Sequence, residues 1–159
     1  MNNQDRLHQV LVLVQKEAAH VQAVTERMFD GQSELTTEQL KIKLTQPTGI
    51  DTLESYGAKF SRLQDTITDK LLPIFLKQTG EKLGTVIENL NKAERLGLID
   101  DVNVWLAARL LRNKLVHEYI EDPAEIVTAL NQSRVFVDSL LKTANAFEVY
   151  VRENLGLSS

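Results

Sequence analysis

Apolar residues recur along this chain at intervals of three and four, the spacing that lays one stripe along an α-helix. From about Gln4 to Met28, Leu7, Val10, Leu11, Val14, Ala18, Val21, Val24 and Met28 form such a stripe, and Asp30-Gly31 ends it. The pattern is weakest over 32–49. There Thr36-Thr37-Glu38 supplies a cap for a short helix before Pro47-Thr48-Gly49 breaks the chain. A second long helix is expected from Ile50-Asp51, with Asp51 as N-cap and Glu54 three residues on in capping-box position. Its stripe is Leu53, Tyr56, Phe60, Leu63, Ile67, Leu71 and Ile74, and Pro73 is expected to kink its last turn.

Glu81 to Leu96 reads as a third helix through Leu83, Val86, Ile87, Leu90 and Ala93, closed by Gly97 after Lys92 and Arg95. Asp100-Asp101 offers N-caps for a fourth, Val102 to Tyr119. The fifth starts at Asp122-Pro123, an N-cap followed by proline at the first helical position. It runs through Ile126, Val127, Leu130, Val137, Leu141, Ala144 and Val151 towards Leu155. No alternating strand pattern is present. The expected fold is all-α: an antiparallel bundle of about five helices in a single domain, 1–159.

Composition narrows the chemistry. The 159 residues contain no cysteine, which excludes disulfides, thiolate-bound metals and a cysteine nucleophile. No apolar run is long enough for a membrane span, and the polar start MNNQDRLHQ is unlike a secretory signal, so a cytoplasmic protein is expected. The net charge of −4 argues against a broad basic surface for nucleic acid. That average hides a local inversion. Trp105 to His117 carries Arg109, Arg112 and Lys114 with no acid, and the following eight residues carry Glu118, Glu121, Asp122 and Glu125.

Helix dipoles account for part of this, since carboxylates suit a helix start and cations a helix end. They do not explain the choice of polar groups. Asn113 and His117 are i and i+4, as are Arg109 and Asn113, so each pair shares a helix face. Arg112 and Tyr119 are seven apart and nearly aligned, while Arg112 and His117 flank a common edge about 140° apart. An arginine clamps a phosphate oxygen and stabilises charge on phosphorus. An imidazole titrates near neutrality and moves a proton to or from a hydroxyl. His8 and His20 lie on another helix with no matching carboxylates, so no metal is expected. Trp105 reads as a core anchor. The runs Ser61 to Asp65 and Thr68 to Lys70 read as a solvated face, with Asp65 or Asp69 alternatively reaching across the bundle to Arg112.

The stretch RNKLVHEY, Arg112 to Tyr119, resembles the signature of HEPN-domain proteins: arginine, a polar residue often asparagine, a short gap, then histidine. With Tyr119 two residues beyond the histidine, it resembles the Arg-x4-His-x-Tyr form of HEPN toxins paired with small nucleotidyltransferase (MNT-type) antitoxins. The likeness in architecture extends over most of the chain, with 32–49 least anchored by it. It implies a metal-independent endoribonuclease needing no cofactor, acting on RNA rather than DNA as a homodimer whose two motifs line one cleft. His117 would then be the general acid/base, Arg112 the phosphate-stabilising group, and Asn113 with Arg109 auxiliary. Tyr119 would be the residue that the antitoxin modifies with AMP. Two other readings stay open: a non-catalytic nucleotide-binding partner of a small nucleotidyltransferase, and a helical assembly domain whose motif is coincidental.

Overall fold

The computed structural model describes residues 2–117 and 122–156, except the side chains of Val116 and His117. Among the described residues all regular structure is helical: α1 (Asn3–Phe29), α2 (Thr37–Leu44), α3 (Pro47–Asp65), a π-helical turn (Thr66–Leu71), α4 (Leu72–Gln78), α5 (Val86–Arg95), α6 (Val102–His117) and α7 (Pro123–Asn154). None of these helices is long and apolar enough to cross a membrane.

The frame consists of α1, the α3–α4 rod, α6 and α7. Along α1 and the rod, Phe29 meets Tyr56, Glu17 meets Thr66, and Asn3 meets Ile74 and Gln78, so the two run antiparallel. Trp105 on α6 and Phe60 on α3 both meet Phe136 of α7 edge-on, with ring centroids 5.2 and 6.1 Å away. Trp105 is fully buried and anchors the core, as its sequence context predicts. Phe75 adds a second aromatic knot with Phe147 and Tyr150 at 5.2 and 5.3 Å. The α1–α2 connection is tied to α7 from far along the chain. Leu35 N–H donates to Asn131 Oδ1, and Asn131 Nδ2 donates back to Leu35 O, both at 2.9 Å.

The boundaries follow the caps. Thr36 caps α2 through a box with Gln39. Asp122 caps α7 by accepting from Ala124 N–H at 3.0 Å. Gly97, at φ 76°, ends α5, with Gly97 N–H bonding Glu94 O and Leu98 N–H bonding Ala93 O, the paired bonds of a Schellman motif.

Three boundaries differ from the sequence reading. Proline at 47 starts α3 instead of breaking the chain, because the first helical turn needs no N–H from it; Asp51 is therefore interior rather than N-cap. α5 starts at Val86, not Glu81, where Thr85 and Glu88 form a reciprocal capping box. The bonds from the Thr85 backbone and hydroxyl hold the Glu88 carboxyl below its usual range. The second long helix does not end near Pro73. It continues to Gln78, and the irregularity is a widened turn just before the proline, where Leu72 N–H reaches back five residues to Ile67 O. Proline has no N–H to offer the carbonyl of Asp69, and its ring crowds that carbonyl, so the wider turn relieves an interior proline without ending the rod.

Candidate functional site

The chemistry-bearing segment lies on α6. Asp101 caps the helix by accepting from Asn103 N–H at 2.8 Å, and Glu94 of α5 accepts from Val102 N–H at 2.8 Å. Trp105, Ala108 and Leu115 point into the core. This fixes the helix rotation and turns Arg109 and Arg112 towards α3. Near its end α6 presses on Gly57 of α3, where a Cβ would come within 3.1 Å of Leu115 O.

Across this seam the helices run antiparallel, Gly57 opposite Leu115, Asp65 opposite Arg112, and Thr68 opposite Arg109. Arg112 Nη1 donates to Asp65 Oδ1. Arg109 Nη1 donates to Thr68 Oγ1 at 3.1 Å and lies 3.6 Å from Asp69 Oδ1. Both arginine side chains are about three-quarters covered, at 24% and 28% exposure for Arg112 and Arg109. Of the two roles open to Asp65, the partnership with Arg112 is the one realised, and Asp69 turns to Arg109 instead. Asn113 and Lys114 are exposed.

The helical backbone is continuous from Arg112 through His117, so the expected i, i+4 relation of Asn113 and His117 holds along the backbone. The His117 side chain and all of Tyr119 lie outside the described residues, as does the expected extension of α6 to 119.

The supposed solvated face of α3 is partly interior, contrary to the sequence reading. Gln64 is 1% exposed and Thr68 2%. Ser61 Oγ and both polar atoms of the Gln64 side chain are buried with no hydrogen-bond partner among the described residues. Sequence reasoning also missed Glu17, a buried carboxylate on α1 that accepts from Thr66 Oγ1 at 2.8 and 3.1 Å. Its signal was present, since 14, 17 and 21 continue the α1 stripe. Among the described residues no group of three or more His, Asp or Glu is placed to hold a metal.

On the other flank of α6, a shallow groove against α7 is lined by Val104, Ala107, Leu110, Leu111 and Val135, with Lys114 at its end. Leu110 and Val135 are 70% and 71% exposed there. The α6 surface thus has an Arg–Asp seam on one side and an apolar ridge on the other. Comparison with protein-family models, with curated proteins and with solved structures returned no match.

Proposed function

We propose that this chain is a HEPN-type, metal-independent endoribonuclease, the toxin of a pair whose antitoxin is a small MNT-type nucleotidyltransferase. The observation that carries the reading is the uninterrupted helix through RNKLVH, with the Arg112 guanidinium held at a fixed place on its edge. In this mechanism His117 takes the proton of a ribose 2′-hydroxyl, whose oxygen attacks the adjacent phosphorus. Arg112 stabilises the charge gathered on the phosphoryl oxygens, with Arg109 and Asn113 positioning the strand. The 5′-oxygen leaves with a proton from the second protomer's His117, giving a 2′,3′-cyclic phosphate and a free 5′-hydroxyl. AMP placed on Tyr119 would set a phosphate where the RNA phosphate must sit and repel it. The exposed Leu110 and Val135 support the two-chain site, because such apolar surface marks protein interfaces.

The test is cleavage of RNA by purified protein in EDTA. Arg112→Ala and His117→Ala should each lose about 100-fold or more in rate. Activity equal to wild type in either variant overturns the assignment.

One observation favours the non-catalytic alternative. Both arginines already carry a carboxylate neighbour, which reduces the positive charge free to stabilise a phosphorane-like transition state. That reading expects Arg112-dependent nucleotide binding and no cleavage of RNA.

A further inference from the structure

Asp65 is the last residue of α3, immediately before the π-turn, and its carboxylate meets the middle of α6. The contact uses one guanidinium nitrogen of Arg112, Nη1, and one carboxylate oxygen, Oδ1. A guanidinium has five N–H donors in one plane; among the described residues Asp65 is the acceptor that Arg112 meets, through one nitrogen, so the bond restrains the group at Nη1 and leaves its other donors for another acceptor. Backbone geometry fixes both ends of the contact. The Gly57–Leu115 approach sets the distance between α3 and α6, and Arg109 repeats the docking one turn away through Thr68 and Asp69. The carboxylate is also 44% exposed, close enough to solvent to face whatever Arg112 binds.

We propose that Asp65 is the positioning residue of the site: through its bond to Arg112 it aims the open edge of the guanidinium at a phosphodiester oxygen, while its charge holds down the affinity for that phosphate. The inference rests on the reading of Arg112 as the phosphate-binding group. Its two parts separate by substitution. Asp65→Asn keeps an Oδ1 acceptor for Arg112 and removes the charge; Asp65→Ala removes both. Relief of the negative charge should tighten RNA binding in both variants, whereas only the alanine frees the guanidinium to swing. The exposed Asp100, paired with Lys142 at 3.1 Å, provides the control.

Cleavage kinetics in EDTA and binding of an RNA lacking the reacting 2′-hydroxyls are measured together, with melting temperatures to confirm folding. Expected is a fall of about threefold in Kd and KM for Asp65→Asn with kcat retained. For Asp65→Ala a similar fall in Kd should accompany a loss of about tenfold or more in kcat. Asp100→Ala should match wild type. In an Arg112→Ala background neither change at 65 should alter binding further, the sign of coupling between the two residues. Equal kcat in Asp65→Ala and Asp65→Asn overturns the positioning role, and additive effects on binding with Arg112→Ala overturn the role of the Asp65 charge at that phosphate. Wild-type protein that binds RNA without cutting it overturns the nuclease reading alone, since the binding cycle still tests Asp65. Failure to bind RNA overturns both.

Discussion

Tyr56 shows how one buried polar atom makes stability depend on pH. Its ring packs against Phe29 and Phe60, and its hydroxyl lies 2.7 Å from Ser133 Oγ. Ser133 Oγ donates to Leu130 O at 2.7 Å, so Tyr56 is the donor between the two hydroxyls. Burial pushes the phenol pKa well above its usual value. The native state therefore keeps this proton at pH values where the unfolded chain, near pH 10, has lost it. Stability from this group is intact below about pH 10 and falls above it by up to about 1.4 kcal/mol per pH unit. Tyr56→Phe should cost about 1 kcal/mol at pH 7 and remove this part of the alkaline slope. Urea titrations of both proteins at pH 7 and pH 11 check it; parallel losses would contradict the assignment. Much of the core was legible at this scale, because Leu7, Leu11, Val14, Phe60 and Trp105 are where their spacing puts them. Gln64 and Glu17 were not. A stripe read from apolar residues passes over polar ones at the same spacing, and only the folded chain shows whether an interior place suits them.

Helix starts and stops were legible where a side chain closes the helix end. Asp122-Pro123, Thr36 and Gly97 act as read. Pro47 was misread, and Pro73 placed too near a helix end, for one reason: a proline states what its nitrogen cannot do, and the consequence depends on its place in the helix. The π-turn left no trace in the hydrophobic pattern, since Leu63, Ile67 and Leu71 keep an α-like spacing through it. It nevertheless sets which side chains of 65–69 meet α6. The close approach of α3 and α6 is also local, and Gly57 is its test. Gly57→Ala gains about 1 kcal/mol in helix propensity but places a methyl group against the Leu115 carbonyl, with an overpacking cost of about 1–3 kcal/mol. The expected result is a net loss of stability in chemical denaturation. A more stable Gly57→Ala protein would show that the seam opens without cost.

For the whole molecule, the sequence located the cations and offered Asp65 or Asp69 as a partner for Arg112, but could not decide between that pairing and a solvated face. Two of the three positive charges on α6 meet aspartates from a helix some forty residues earlier, a relation that exists only once the bundle forms. Its surface is thus less basic than RNKLVH alone implies. The apolar ridge beside it carries the assembly prediction. Leu110→Asp puts a charge on that ridge at a residue already 70% exposed, so the monomer fold should be kept. Sedimentation should show a dimer for wild type and a monomer for the variant, with cleavage lost alongside the dimer. A monomeric wild type would rule out a site shared between two chains.

The clasp between Leu35 and Asn131 joins residues 96 positions apart, and it consists of both backbone polar groups of one residue gripped by a single side-chain amide. Like the other ties to α7, Tyr56 with Ser133 and Phe60 with Phe136 among them, it has to wait for that helix. During synthesis the α1–α2 connection leaves the ribosome before Asn131 exists, so the clasp cannot form until α7 is made. The clasp closes only when α7 docks, so Leu35 ties the set of the α1–α2 connection to the arrival of the last helix described.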